Sequence, residues 1–163
     1  MKTQAIHFYF DQKRTLQSIY AISKFSKDPV TLSRILEILY LSDRTSLIET
    51  GQIITGCSVW NVNDIARILA AEKVVLNFTT FIDGQMYNPG DGELSDYDFS
   101  LFERCSLITN PDYPECTRYD RLSGVIPYEC ILKAHGVSDE IVEEYVLHNI
   151  HSNSIKKDFK NEN

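Results

Sequence analysis

The chain has 163 residues, 43% of them hydrophobic and 24% charged, with a net charge of −7. That is enough for one domain with its own core, and ordinary enough to exclude wholesale disorder. The acidic balance excludes a general nucleic-acid binder, which needs Lys and Arg against phosphates, and suits a basic protein partner instead.

The opening segment MKTQAIHFYFDQKR carries a short apolar patch broken by His7, so no secretory signal is expected there. Asp11 is placed to cap a first helix running to about Lys24, with Leu16, Ile19, Tyr20 and Ser23 as its inward stripe. A polar link over Ser26 to Asp28 then predicts a helical hairpin. Asp28-Pro29 has the form of a helix start, and a long central helix over about 29–49 follows. Its face is Leu32, Ile35, Leu36, Leu39 and Tyr40, widened by Ile38 and Leu41, a pattern that predicts burial. Gly51 supplies the left-handed stop, and Ile53-Ile54-Thr55 before Gly56 predicts a short strand.

Beyond Val59 and Trp60, Asn61 or Asn63 is expected to cap a third helix with Val62, Ile65, Ala66 and Leu69 inward. The β-branched and aromatic run 74–82, the dipeptide Asp83-Gly84 and 85–87 predict a hairpin. Ser95 and Asp98 form a capping box, with Leu94 and Phe99 as a staple, and Leu101, Phe102, Cys105 and Ile108 continue that helix to Asn110-Pro111. The polar stretch Asp112 to Gly124 is expected to be a surface loop. Pro127 opens a short helix ended by Gly136. Ser138 caps a last one, with Val137 and Val142 as a staple and Ile141, Val142, Tyr145, Val146 and Asn149 as its face. The expectation is therefore a mainly α (α+β) single domain over 1–151. It is a helical bundle around the buried 29–49 helix, with a small antiparallel sheet from 53–55, 74–82 and 85–87 and a polar tail over 152–163.

Few residues suggest chemistry. The cysteines Cys57, Cys105, Cys116 and Cys130 contain no C-x-x-C pair, which predicts separate reduced thiols in a cytoplasmic protein and no metal. No stretch approaches the ~20 apolar residues of a membrane helix. Glu144, His148 and His151 share a helical face and could hold a metal, but no fourth ligand accompanies them and a solvated face is expected. Asp43-Arg44 has two readings. They form a partner-facing ion pair, or Asp43 ties down a loop while Arg44 lies in solvent. Trp60 is equally an interface anchor or a core residue. Gly90-Asp91-Gly92 is not a nucleotide loop, and no catalytic set or cofactor site is expected.

Four pieces, in order, resemble the Panacea domain, the SocA-like antitoxin family of bacteria and their phages. These are Phe10 to Ile19 (FDQKRTLQSI), Leu36 to Arg44 (LEILYLSDR), Gly51 to Gly56 (GQIITG), and Leu94 to Asp98 (LSDYD) together with the helices from Ile126 to Tyr145. The chain departs from the family pattern at Ile53, where proline is usual. It departs again at Val59-Trp60-Asn61-Val62, where a Gly-Pro usually begins the third helix, and over Asn110 to Gly124, which has no counterpart. The resemblance implies a non-enzymatic antitoxin that neutralises a cognate protein toxin by direct contact. A variant of that role is a phage protein that inhibits a host defence protein or delivers it to a AAA+ protease. Contacts are expected around Tyr40, Asp43, Arg44 and Trp60, with charge reversal at Asp43 or Arg44 weakening binding and leaving thermal stability nearly unchanged.

Overall fold

Helix α2, Leu32–Thr50, is the axis on which three other helices and a strand pack. The computed structural model describes residues 6–25, 30–78, 81–82, 85–86, 88–118 and 124–149, and the backbone alone within 76–87. Thr31 caps α2 by accepting from the Arg34 N–H, so the helix begins three residues after the expected Pro29. The Asp28-Pro29 start lies outside the described residues. Gly51, at φ +77°, ends the helix in the left-handed region as expected. Ile35, Ile38, Leu39, Tyr40 and Leu41 are buried, Leu36 is half-buried, and Leu32 is exposed. Helix α1, Gln12–Lys24, is capped by Asp11 and packs against α2. Its buried stripe includes Ile19 and Ile22 but also Thr15, Gln17 and Ser18, while Leu16 is only half-buried.

The segment after Gly51 corrects one expectation. Ile53-Ile54-Thr55 is not a strand. Its backbone donors go to a side chain of α2 instead of a neighbouring strand. The expected third helix is also replaced. Strand β1, Val59–Val62, turns through Asn63 and Asp64 into β2, Ile65–Arg67, with Trp60 opposite Arg67 and Val62 opposite Ile65. Both turn residues have positive φ, +53° and +64°, as a tight two-residue hairpin demands, and Asn and Asp tolerate that region best after glycine. Strand β5, Val125–Ile126, pairs on the other side of β1 to give the antiparallel order β2-β1-β5.

Helix α3, Leu69–Phe78, overturns most of the strand expected over 74–82. Ile68, Ala71 and Val75 are buried at helical spacing, and that burial outweighs the weak helix propensity of valine. The remainder of that run does pair. Strand β3, Phe81–Ile82, is antiparallel to β4, Gln85–Met86, and the expected Asp83-Gly84 turn lies outside the described residues.

Helix α4, Asp96–Ser106, has the expected capping box, with Ser95 accepting from Asp98 N–H and Asp98 from Ser95 N–H. Leu101, Phe102 and Cys105 are buried against α2, whereas Ile108 lies beyond the helix end and is exposed. The expected surface loop over 112–124 contains α5, Pro114–Arg118, whose Glu115 and Cys116 are buried, so that expectation is corrected too. Helix α6, Tyr128–Ala134, follows Pro127 as expected, and Gly136 turns at φ +78° towards α7, over 139–149, the last helix among the described residues. On α7, Val142 and Asn149 are buried, Tyr145 and Val146 half-buried, and Ile141 exposed. The result is a mainly helical α+β fold around a buried central helix with a small antiparallel sheet. The 152–163 tail lies outside the described residues. Among the described residues no helix is long and apolar enough to cross a membrane.

Candidate functional site

Asp43 sits on the buried face of α2, and its carboxylate reaches the turn that follows Gly51. Oδ1 accepts from the Ile54 N–H at 2.8 Å and the Thr55 N–H at 3.2 Å. Oδ2 accepts from the Thr55 hydroxyl at 2.5 Å. The turn therefore needs no strand partner. Burial pushes the Asp43 carboxyl up to about 6, against the bonds from Thr55 and Ile54 and the nearby Arg14 charge, which pull it down. Thr55 passes the fixation on, since its hydroxyl accepts from the Cys57 N–H and its carbonyl accepts from the Asp11 N–H at 2.8 Å.

The outer face of this turn is one wall of a cleft of about 520 Å³. Ile53, Ile54 and Gly56 come from the turn itself, and Phe10, Asp11 and Arg14 from the start of α1. Ser95, Tyr97 and Asp98 come from the start of α4, and Asn149 from the end of α7. The Arg14 Nη2 donates to Asp98 Oδ2 at 2.7 Å, which ties α1 to α4 across the cleft floor. Asn149 clasps the backbone of His7, its Oδ1 accepting from the N–H and its Nδ2 donating to the carbonyl, both at 2.8 Å. Gly56 lies so close to Tyr9 that a Cβ there would stand 1.9 Å from the Tyr9 carbonyl oxygen. Three pieces singled out in the sequence, Phe10 to Ile19, Gly51 to Gly56 and Leu94 to Asp98, thus meet at one concave surface, with Asp43 of a fourth directly behind it.

Tyr40 and Arg44 point elsewhere. The Tyr40 hydroxyl donates to Glu115 Oε1 at 2.6 Å, Arg44 Nη1 meets the same oxygen at 2.9 Å, and His135 Nε2 lies 2.7 Å from Oε2. Tyr113 stacks on Tyr40 with ring centroids 6.1 Å apart, and the Arg44 guanidinium lies 5.7 Å from both rings. Burial would raise the Glu115 carboxyl, but the bond to His135, the Arg44 charge and the Tyr40 hydroxyl outweigh it and bring it to about 2. Burial, with the Glu115 charge beside it, holds the Tyr40 phenol well above its ordinary value. A carboxylate so fully engaged is a cross-brace between α2, α5 and α6, and has little left to offer a reacting group.

The expected Asp43–Arg44 pair is absent as a contact, since the two side chains turn to different partners, Asp43 to Ile54 and Thr55 and Arg44 to Glu115. Asp43 does tie down a loop, while Arg44 is drawn inward to Glu115 and does not lie in solvent. Trp60 is half-buried on β1, opposite Arg67 of β2 and Val125 of β5. Of the four expected contact residues, Tyr40 and Arg44 come together, and Tyr40 and Asp43 are buried. Glu144 and His148 are exposed on α7, and His151 lies outside the described residues. No group of three metal-capable side chains occurs among the described residues.

Sequence reasoning passed over Glu115, Gln52 and Arg14 as site residues. Glu115 follows Tyr113-Pro114 in a five-residue helix with no periodicity to betray a buried acid. Arg14 had a usable signal, because a capping-box aspartate uses one oxygen on its own helix and keeps the remaining lone pairs for a neighbouring cation. No family model, no curated protein and no solved structure matches the chain.

Proposed function

We propose that this protein is a non-enzymatic antitoxin of the Panacea type, neutralising a protein toxin by direct contact in the cytoplasm. One observation supports the reading above the others: segments chosen for their resemblance to that family, far apart in sequence, build a single cleft. The Asp43 of the Leu-Tyr-x-Ser-Asp piece locks the Gly51 to Gly56 piece behind it, which gives the two signatures a shared physical purpose. Four free thiols suit a reducing compartment, and the net charge of −7 suits a basic partner. The buried Glu115 brace favours a rigid scaffold over a reactive centre.

The test is co-expression. The neighbouring small open reading frame is induced alone and together with this chain. The expected result is growth arrest alone, rescue by this chain, and co-purification of the two products. A neighbour that is harmless alone, or a rescue without physical association, overturns the reading. Capture of a host defence protein in place of a toxin would move the same scaffold to the phage-inhibitor variant.

A further inference from the structure

Two residues lining the cleft between α1, the 51–56 turn and α4 each carry a covered donor without a partner among the described residues. Arg14 Nε and Gln52 Nε2 are both shielded from water, and neither has a hydrogen-bond partner among the described residues. Both residues line the cleft. A shielded donor left unpaired is costly, and native proteins rarely keep one without a reason. Two such donors at one concave surface call for hydrogen-bond acceptors from outside the chain.

Charge decides what kind of acceptor. The charged side chains lining the cleft are Arg14, Asp11 and Asp98, one cation against two anions. Arg14 is already spent on Asp98, which is buried and also accepts from the Ser95 N–H. A carboxylate or phosphate entering here would meet Asp11 and Asp98 with no cation left over, so an anionic ligand is disfavoured. Neutral carbonyl oxygens carry no such penalty, and a polypeptide backbone presents them in series. Asp11 is exposed and accepts from the Arg14 N–H through Oδ1 alone among the contacts described, which leaves lone pairs for an incoming ammonium or guanidinium group. Phe10, exposed, and Ile53 give apolar wall to neighbouring side chains. The volume of about 520 Å³ lies within the ~300–1,000 Å³ of ordinary ligand sites.

We propose that this cleft takes an extended segment of a partner protein, whose backbone carbonyls accept from Arg14 Nε and Gln52 Nε2 while one Lys or Arg of the segment pairs with Asp11. This rests on the protein-binding reading above and names where and by what chemistry the partner is held. Some side-chain adjustment opens the two donors, and the segment replaces the cover they lose.

The test uses the full chain and nitrogen-15 NMR, following the Arg14 Nε–Hε and Gln52 side-chain amide resonances. Three probes are titrated: a pool of N-acetylated, C-amidated hexapeptides with one fixed Lys, the same pool with Glu in its place, and sodium acetate. The expected result is a saturable shift of both resonances with the Lys pool, a clearly weaker one with the Glu pool, and none with acetate. Arg14→Lys keeps the charge facing Asp98 but removes Nε, and Gln52→Ala removes the other donor. Each is expected to weaken Lys-pool binding roughly five- to tenfold, the scale of one lost hydrogen bond. Acetate shifting the resonances as strongly as the Lys pool, no response to either pool, preference for the Glu pool, or unchanged binding by both variants overturns the proposal. A toxin neutralised equally well by both variants would also overturn it while leaving the antitoxin reading intact. Peptide binding without any toxin partner would do the reverse.

Discussion

The Asp43 carboxylate takes both the backbone N–H, at 3.2 Å, and the hydroxyl, at 2.5 Å, of Thr55, so a helix side chain does for the 51–56 turn what a neighbouring strand would do elsewhere. Removing it strands buried donors. Asp43→Ala is expected to cost on the order of 2–4 kcal/mol in urea unfolding, and Asp43→Asn less, because the amide oxygen still accepts. Charge reversal at Asp43 is expected to lower the melting temperature sharply. That reverses the expectation of unchanged stability drawn from the sequence, and the reason is that Asp43 is buried.

The two buried carboxylates predict opposite pH slopes. Asp43, raised from 3.8 to about 6, binds its proton more tightly folded than unfolded, so its contribution is full below 3.8 and falls as pH rises to about 6. Glu115, lowered from 4.5 to about 2, contributes fully above 4.5 and loses that as pH falls towards 2. Their contributions therefore fall away in opposite directions, that of Asp43 as pH rises from 3.8 towards about 6 and that of Glu115 as pH falls below 4.5. Unfolding free energies between pH 2 and 8 measure this. Asp43→Asn should flatten the first of these falls and Glu115→Gln the second.

Glu115→Ala leaves the Tyr40 hydroxyl buried without its acceptor, and the half-buried Arg44 guanidinium with the Asp112 carbonyl but without its counter-ion. A loss of about 3–5 kcal/mol is expected, and Arg44→Met in the same background should recover part of it, since no cation is then left unpaired. Additive losses in the double-mutant cycle would contradict the brace.

Two glycines separate strain from collision. Gly136→Ala, at φ +78° with no atom within 4 Å of the new Cβ, should cost about 1–2 kcal/mol from the left-handed backbone alone. Gly56→Ala, at φ +73°, drives its Cβ to 1.9 Å from the Tyr9 carbonyl oxygen. A loss on the order of 4 kcal/mol, or failure to fold, is expected in thermal melts.

Local signals carried much of this architecture. Asp11, Gly51 and the Ser95–Asp98 box mark helix ends where the structure has them, because each acts within one turn of chain. These misreadings involve partners outside the misread segment. Asn61 or Asn63 looks like a helix cap until β2 and β5 arrive beside β1, and Val74-Val75 looks like a strand until Ile68 and Ala71 share its burial. Ile53 to Thr55 has strand composition, but its hydrogen bonds belong to a residue eleven positions earlier. The cleft was legible only as a set of fragments, since nothing local ties Arg14 to Asp98, 84 residues away.

The grip of Asn149 on the His7 backbone spans 142 residues. During synthesis the amino-terminal arm therefore has no completed seat until α7 has left the ribosome, although α1 and α2 can pair long before. The cleft is therefore complete only in a chain that has reached α7. A nascent or clipped product lacking that closing clasp would exist in the cell as a scaffold with an unassembled mouth.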